Sequence, residues 1–464
     1  MTPSHISRRQ LLKRTACGIG QIGLLGLLDS VAQGEGGHAP SLRNRHFAPK
    51  AKSAIFLFMH GGVSHLDTFD PKPKLDQMDG KDLPYQPSLQ FAPTGKLKKS
   101  PWTFRRYGAS GLPVSDLFPH VGSVIDDICL LRSMHVEQVD HGGAVLQLHT
   151  GSAVFPRPSV GSWLVYGLGT ENKDLPGFIT ISPPLYHGST QNYSSGFLPA
   201  SFQGTALGET STPMSQARIA NLNRAEPSRA LQRLQLDFLQ DVNRRHQALS
   251  PDDSRLNARI ETFELAFRMQ REAPVTVDIS GESGSTLGLY GIGKSPTDNF
   301  GRQCLLARRL VERGVRVVQC THSYKWDQHS NLKGGHEGNA AEVDQPIAGL
   351  IKDLKQRGLL DETLVVWGTE FGRTPMNQGG SGRDHNPYGF TLWMAGGGVK
   401  GGIAYGATDE LGYHAAENRT SMYDLHATVL HLMGIDHEKL TYRYNARDFR
   451  LTDVYGKVVH DIIG

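Results

Sequence analysis

Histidines and carboxylates recur in four short segments of this sequence, and this combination of residues binds divalent cations or transfers protons. The candidate metal ligands are His60, Asp67, Asp327, His329, Glu370, Asp384 and His385. Mixed imidazole and carboxylate ligands favour a transition metal, whereas carboxylates with few histidines would favour calcium or magnesium. We therefore expect one or two divalent ions, with zinc, manganese and calcium not distinguished. Taken singly, each residue could equally cap a helix or bond to a loop carbonyl.

The stretch Asp140-His141-Gly142-Gly143 places an ionisable pair at the start of a predicted helix. The N-terminus of a helix attracts negative charge through its unpaired amides, and glycines let an anion approach the backbone closely. We therefore interpret this stretch as a loop shaped around an anion.

Arg373 lies three residues after Glu370 and could hold an anionic group with its planar guanidinium. A salt bridge between Arg373 and Glu370 is an equal alternative. His65 and His322 lie near the candidate ligands, and we expect both to have structural or supporting roles.

Six apolar runs predict the strands of one sheet. They are residues 54–59, 128–131, 178–181, 315–320, 363–367 and 390–394. Apolar periodicity and glycine stops predict helices at 299–313, 347–356 and 422–433. This alternation predicts an α/β fold with a mostly parallel sheet and helices on both faces. Ligands of such sheets bind beyond the carboxyl ends of the strands, where His60, Asp327 and Glu370 fall.

The rest of the chain is predicted to form one domain. Residues 33–52 mix Gly, Pro, Arg and His, which is typical of a linker, and residues 53–464 carry the predicted strands and helices. Within them, residues 190–294 begin rich in Ser, Thr, Gly and Pro and continue with helical spacing of apolar residues. We interpret this region as a helical insertion that shapes the mouth of the site.

The composition is that of a globular protein with a core. Of the 464 residues, 38% are hydrophobic and 20% are charged, and the formal net charge is only +4. A charge this small gives no argument for nucleic-acid binding, and we expect no stable membrane span. The four cysteines are too widely spaced for a metal motif, and we expect Cys304 and Cys320 to lie in the core.

The N-terminal segment has the pattern of an export signal. Ser7-Arg8-Arg9-Gln10-Leu11-Leu12-Lys13 precedes an apolar, glycine-rich run over residues 16–28 and small residues at 30–32. Paired arginines before a mildly apolar run are typical of the twin-arginine route. We therefore expect a signal peptide at 1–32, recognition by the twin-arginine export machinery, and a periplasmic or secreted protein.

Several motifs together resemble an uncharacterised, sulfatase-like family that is exported by the twin-arginine route and belongs to the alkaline phosphatase superfamily. They are His141 nine residues before a Thr-Gly, Trp-Asp-x-His at 326–329, Gly-x-Glu-Phe-Gly-Arg-Thr-Pro at 368–375, Gly-Arg-Asp-His at 382–385, and the segments "FGRQCLLARRLVERGVR" and "SMYDLHATVLHLMGI". The resemblance covers roughly residue 53 to the C-terminus. It implies an alkaline phosphatase-like fold and the hydrolysis or transfer of phosphate or sulfate esters with one or two metal ions.

The resemblance also implies roles for individual ligands. Asp327 and His329 resemble one metal-binding loop, and Glu370 stands where the superfamily has a metal-binding aspartate. Asp384 and His385 resemble the late histidine ligand and its neighbour. His60 stands where an aspartate is expected, so that Asp67 is the alternative ligand from the first strand.

His141 occupies the position of the superfamily's nucleophile, where this sequence lacks a serine, threonine or cysteine. It could bind metal, act as a general base, form a phospho-imidazole intermediate, or mark a loss of hydrolysis. The metal and base roles rank first.

Three functions therefore remain open. The first is an exported metal-dependent hydrolase of small-molecule or glycan esters of phosphate or sulfate, with His141 as the catalytic residue and Arg373 binding the substrate. The second is a non-catalytic, metal-containing protein that binds anionic glycans. The third is a phosphotransferase of the same superfamily.

Overall fold

The structure, a computed structural model, describes residues 45–219, 228–249 and 254–464. The predicted signal peptide at 1–32 and most of the predicted linker lie outside these ranges. The described part of that linker packs on the domain, because the amides of Lys50 and Ala51 donate to the carbonyl of Leu432.

The described residues hold seventeen strands and ten α-helices. The strands are β1 Ser53–Met59, β2 Phe104–Tyr107, β3 Leu112–Ser115, β4 Ile128–His135, β5 Phe178–Ile181, β6 Thr205–Leu207, β7 Val317–His322, β8 Thr363–Gly368, β9 Gly372–Arg373, β10 His385–Asn386, β11 Phe390–Ala395, β12 Ile403–Tyr405, β13 Ala407–Thr408, β14 Ala415–Glu417, β15 Thr420–Ser421, β16 Tyr442–Tyr444 and β17 Arg447–Phe449. The helices are α1 Pro73–Gln77, α2 Pro119–Gly122, α3 His141–Thr150, α4 Val160–Leu168, α5 Arg229–Leu249, α6 Ser254–Val277, α7 Gly284–Leu289, α8 Asp298–Glu312, α9 Leu332–Gln356 and α10 Met422–Leu432.

Nine of the described strands form one sheet, in the order β12-β4-β11-β8-β1-β7-β5-β6, with β15 also paired to β4. Strand β1 pairs in parallel with both β7 and β8. Strand β11 is antiparallel to both β8 and β4, so that β4 runs in the same direction as β8. The carboxyl ends of β1, β4, β7 and β8 therefore lie at one edge of the sheet, and the predicted mostly parallel α/β fold is confirmed.

Both faces of the sheet are buried, as the continuous apolar runs predict. Alternate residues of β1 enter different clusters: Ile55 and Leu57 pack with helices α8 and α9, whereas Ala54 packs with α4 and α10. The predicted core positions of Cys304 in α8 and Cys320 in β7 are confirmed, since neither side chain is exposed.

Helix α9 begins much earlier than the predicted start at residue 347. Glycines and Pro346 made its first half resemble a loop, yet this half buries Leu332, His336 and Val343 against the domain. Packing of this face thus overrides weak helix propensity. In contrast, the predicted cap of α10 is present, because Ser421 and Asp424 form a capping box.

Residues 190–294, interpreted as a helical insertion, also contribute a strand to the sheet. Strand β6 pairs in parallel with β5 at the edge of the sheet. Helices α5 and α6 then pack through Leu236, Phe263 and Phe267. Arg233 joins the two helices through its salt bridge to Glu264 at 2.8 Å.

Among the helices that the structure describes, none has both the length and the apolar composition needed to cross a bilayer.

Buried histidines make the stability of this fold sensitive to acid. His426 of α10 hydrogen-bonds through Nε2 to the carbonyl of Leu148 at 2.8 Å, and burial lowers its pKa to about 4. Because the unfolded chain takes up this proton below about pH 6.5, the free energy of unfolding should fall between pH 6.5 and 4, by about 1.4 kcal/mol per pH unit for this histidine.

Denaturation measured across this pH range should therefore show a shallower slope for His426→Gln than for the wild type. His246→Gln, which changes an exposed histidine on helix α5, is the control and should have a slope closer to that of the wild type. Equal slopes for His426→Gln and the wild type would contradict the role of His426.

Candidate metal centre

Five side chains converge at the carboxyl edge of the sheet, and we call them the cation cluster. They are His141 at the start of α3, Asp327 and His329 in the loop after β7, Asp384 before β10, and His385 in β10. They form two overlapping groups of potential ligands, one of His141, Asp327 and His385 and another of His329, Asp384 and His385. Within each group, the ligand atoms lie within 4.8 Å of one another.

One carboxylate oxygen, Oδ1 of Asp327, lies among the three histidines of the cation cluster. The Nε2 atoms of His329, His141 and His385 lie 3.0, 3.2 and 3.3 Å from it. Nη2 of Arg373 donates to the same oxygen at 2.6 Å. A carboxylate oxygen has two lone pairs, so four nitrogens exceed what hydrogen bonding alone can satisfy.

His141 has its Nδ1 proton fixed by a neighbouring carboxylate. Nδ1 lies 2.6 Å from Oε1 of Glu370, which can only accept a hydrogen bond when ionised. Burial lowers the pKa of His141, but its hydrogen bonds to Asp327 and Glu370 outweigh burial and raise the pKa overall. The raised pKa favours the imidazolium, in which Nε2 donates to Asp327, and a bound cation would displace that proton and take the lone pair of Nε2.

His385 is arranged in the same way. Its Nδ1 lies 2.6 Å from the carbonyl oxygen of Val139, which must accept a hydrogen bond. Burial lowers the pKa of His385 to about 4, so that the ring is neutral and Nε2 carries a lone pair. The Nε2 atoms of His141 and His385 thus both face one carboxylate oxygen, and a cation bound there would take their lone pairs.

Glu370 orients His141 and does not point a free oxygen into the cluster. Its Oε1 and Oε2 accept hydrogen bonds from the amide of Gly61 at 2.9 and 3.1 Å, and Oε2 also accepts from Oγ1 of Thr369 at 3.0 Å. Although burial raises its pKa, the hydrogen bond and charge of His141 hold the pKa well below the ordinary value.

Gly61 ties three loops together because it has no side chain. A Cβ atom at this position would lie 2.7 Å from the amide nitrogen of Asp327, and the φ angle of +124° disfavours other residues. Its carbonyl accepts from Nη2 of Arg373, while its amide donates to Glu370. The glycines after β1 therefore bring the loops after β7 and β8 into contact with β1.

Arg373, predicted to bind substrate, is fully buried and has all three nitrogens engaged. Nε donates to the carbonyl of Gly62 at 2.8 Å, and Nη1 donates to the carbonyl of Arg383 at 3.2 Å. Nη2 donates to Asp327, so the salt bridge alternatively predicted with Glu370 is formed with Asp327 instead. Arg373 positions Asp327 in this structure.

Asp67 lies apart from the cation cluster in a buried ion pair. Nε of Arg383 donates to its Oδ2 at 2.8 Å, and Oγ of Ser64 donates to the same oxygen at 2.5 Å. Burial alone would raise the pKa of Asp67, but Arg383 and Ser64 lower it. Its lone pairs are used in holding the loop after β1.

His60 pairs with a histidine from another strand end. Its Nε2 lies 3.0 Å from Nδ1 of His187, in the loop after β5, and burial lowers the pKa of His60 to about 4. The ring centroids of Tyr324 and His60 lie 4.7 Å apart, and the hydroxyl of Tyr324 donates to Oδ2 of Asp327 at 2.6 Å. His60 therefore lines the wall beside the cluster and belongs to neither ligand group.

The second ligand group contains a buried oxygen that lacks a hydrogen-bond partner. Oδ2 of Asp384 accepts from the amide of Ala92 at 3.0 Å, whereas its Oδ1 has no hydrogen bond and lies 3.8 Å from Nδ1 of His329. An unpaired buried carboxylate oxygen is costly, and coordination of a cation would satisfy it.

The two histidines expected to have supporting roles have structural partners. Nε2 of His65 lies 2.8 Å from the carbonyl of Gly412. His322 lies 2.9 Å from Glu342 and accepts a hydrogen bond from Trp326.

Sequence reasoning missed two residues of the site, His187 and Tyr324. His187 follows a correctly predicted strand, β5, and inspection of that loop for titratable residues would have found it. Tyr324 lies three residues before the predicted ligand Asp327, but a tyrosine in a loop carries no signal for its partner.

A cavity of about 540 Å³ lies elsewhere, between residues 207–219 and helices α6 and α8. It is lined mainly by apolar side chains, and none of its lining residues belongs to the cation cluster.

A mostly parallel α/β sheet with a histidine–carboxylate cluster at its carboxyl edge defines the class of this protein. The sequence profile of the family described as "Protein of unknown function (DUF1501)" matches residues 51–463. The chain therefore belongs to this family, and the predicted membership of a family without known function is confirmed. No curated protein matches the chain.

Solved structures that align with the chain are distant. The PsFucS1 sulfatase from Pseudoalteromonas sp. shares 12% identity, with 90% of this chain and 72% of that one covered and a TM-score of 0.36. A protein in the alkaline phosphatase superfamily from Vibrio parahaemolyticus shares 9%, covers 90% and 75%, and scores 0.37. Alkaline phosphatase from the Antarctic bacterium TAB5 shares 9%, covers 83% and 98%, and scores 0.33.

The contact between Glu370 and His141 predicts a loss of metal affinity when Glu370 is neutralised. Glu370→Gln keeps the shape of the side chain but weakens the hydrogen bond that orients the imidazole, so metal affinity should fall by about 10- to 100-fold. Competition titration with a chelator measures this affinity. Glu342→Gln, which changes a carboxylate that contacts His322 outside the cluster, is the control, and equal affinities of the two variants would refute the role of Glu370.

The ion pair of Asp67 and Arg383 predicts a large loss of stability when one partner is removed. Arg383→Met leaves a buried carboxylate unpaired and should lower the free energy of unfolding by about 3–5 kcal/mol. The double variant Asp67→Asn/Arg383→Met should recover part of this loss in chemical denaturation. Asp67→Asn alone should retain bound metal, and its loss of metal would show instead that Asp67 is a ligand.

Proposed function

We propose that this protein is an exported metal-dependent hydrolase of phosphate or sulfate esters, with the cation cluster as its metal centre. The observation that carries the proposal is the convergence of the Nε2 atoms of His141, His329 and His385 on Oδ1 of Asp327. The motif resemblance to sulfatases supports the class of substrate, and the paired arginines of residues 7–13 support export.

The charges of the cluster fit a divalent cation. When a bound ion displaces the second proton of His141, the carboxylates of Asp327, Asp384 and Glu370 and the guanidinium of Arg373 leave a formal charge of minus two. Burying an uncompensated charge of this size is costly, and a divalent ion would balance it. The imidazole and carboxylate donors suit zinc or manganese better than calcium.

Five residues would hold the metal in this proposal. They are Asp327, His141, His385, His329 and Asp384, and His385 belongs to both ligand groups. A divalent ion in this position would supply Lewis acidity toward the ester and would favour the deprotonation of water.

The chain's own residues would prepare the site for this chemistry. Glu370 keeps the proton of His141 on Nδ1, and Arg373 holds Asp327 at 2.6 Å with a guanidinium that backbone carbonyls fix in place. The hydroxyl of Tyr324 donates to the other oxygen of Asp327, which completes its orientation. Such preorganisation keeps the ligands in place without rearrangement during the reaction.

His141 is proposed as a ligand or a base rather than as a covalent nucleophile. Both of its ring nitrogens face carboxylates, Nδ1 toward Glu370 and Nε2 toward Asp327. An electrophilic phosphorus or sulfur would have to displace one of these contacts to be attacked.

Access to the cluster is proposed to be from the side of Asp327 and His329. Their side chains are 19% and 28% exposed, whereas the side chains of Asp384 and His385 are fully buried. An anionic ester approaching from solvent would reach these two residues first.

A second candidate function, non-catalytic binding of anionic glycans, is favoured by the same restraint on His141. A histidine held at both nitrogens by carboxylates can support a metal that binds an anion without turning it over. Hydrolysis of 4-nitrophenyl phosphate or sulfate would exclude this alternative, whereas binding without turnover would support it.

Asp327→Asn tests the metal centre directly. Elemental analysis of protein purified from its own compartment should find divalent metal in the wild type and a loss of at least about tenfold in the variant, with ester hydrolysis lost in parallel. Asp344→Asn, a change to a buried carboxylate that caps α2, is the matched control and should keep its metal. Metal-free wild-type protein that is fully folded would contradict the proposal.

A further inference from the structure

A half-exposed phenylalanine covers one ligand of the cation cluster. The ring of Phe91 stacks on the imidazole of His385, with centroids 4.5 Å apart and an angle of 28° between the planes. On its other side, His385 packs against Phe371 at 4.4 Å. Phe91 also lies 5.7 Å from His329, which is the more exposed histidine of the cluster.

The loop that carries Phe91 is anchored on both sides of it. The carbonyl of Leu89 accepts a hydrogen bond from the hydroxyl of Tyr388 at 2.7 Å, and the amide of Ala92 donates to Asp384 at 3.0 Å. One of these anchors is therefore itself a member of the cation cluster. Phe91 is thus held in a defined position relative to the cluster.

The outer face of the Phe91 ring remains available. The side chain is 53% exposed although its inner face lies on His385, and Tyr85 and Leu89 of the same loop are 39% and 74% exposed. An exposed aromatic face directly beside a buried polar cluster is the kind of surface that binds a ligand. Scattered exposed apolar residues alone would need no such explanation.

We propose that Phe91 is a specificity residue that stacks on a ring carrying the anionic group of the substrate. This inference rests on the proposed function, because the anion would bind at the cluster. An anionic group bound to a cation in the cluster, on the side of Asp327 and His329, would place the adjoining part of the same substrate over the free face of Phe91. A ring with an apolar face, either the C–H face of a sugar or the face of an aromatic group, buries apolar surface there, whereas a small ringless ester does not.

The test compares three anions that cannot be hydrolysed: methylphosphonate, phenylphosphonate and the phosphonate isostere of glucose 6-phosphate. Calorimetric titration of the metal-loaded, full-length protein measures the affinity for each. We expect at least one ring-bearing phosphonate to bind more tightly than methylphosphonate. This preference should fall by about tenfold in Phe91→Ala and should be retained in Phe91→Trp. The phenyl and sugar compounds distinguish an aromatic from a glycan substrate.

Phe238→Ala is the matched control, since Phe238 is 60% exposed on helix α5 and should leave the preference unchanged. The ratio between ring-bearing and ringless anions is the readout, so a general weakening of the metal site does not mimic the effect. A wild-type protein without preference, without affinity for any of the three anions, or with a preference that Phe91→Ala retains would overturn the inference. A preference that depends on Phe91, in a protein that does not hydrolyse esters, would contradict only the proposed hydrolysis.

Discussion

The site depends on a single carboxylate oxygen, Oδ1 of Asp327, which has more nitrogen neighbours than it can satisfy by hydrogen bonding. Arg373 donates to it, and the protons of His141 and His385 are fixed on their far nitrogens by Glu370 and by the carbonyl of Val139. The Nε2 atoms of both rings face the carboxylate, and a cation between them would take both lone pairs once it displaces the second proton of His141. The protein thus supplies acceptors in an arrangement that a cation completes.

The fold makes this arrangement possible by bringing strand ends together. Strands β1, β4, β7 and β8 end at one edge of the sheet, and the backbone of Gly61 joins the loops that follow β1, β7 and β8. Two fully buried arginines stabilise these loops. Arg373 bonds to four backbone carbonyls, and Arg383 pairs with Asp67. Because each guanidinium has an anionic partner, the buried charges stiffen the ligand loops at a reduced desolvation cost.

Much of this architecture can be predicted from the sequence, because apolar runs identify strands and the carboxyl ends of parallel strands identify the site. Asp327, His329 and His385 were found in this way. The role of each residue within the site could not be predicted, because it depends on the direction of its side chain. Glu370 and Arg373 contact other side chains of the site, and Asp67 pairs with Arg383. Phe91 and His187 lie in irregular loops that have no periodicity, so only the folded structure shows what they contact.

The most direct test of this account is anomalous X-ray diffraction from crystals of the protein purified from its own compartment. We expect one or two anomalous peaks within bonding distance, about 2.0–2.2 Å, of Asp327 and of Nε2 of His385. This expectation would be contradicted by a well-ordered cluster without any anomalous peak, in which water molecules or direct hydrogen bonds satisfy every imidazole nitrogen around Asp327.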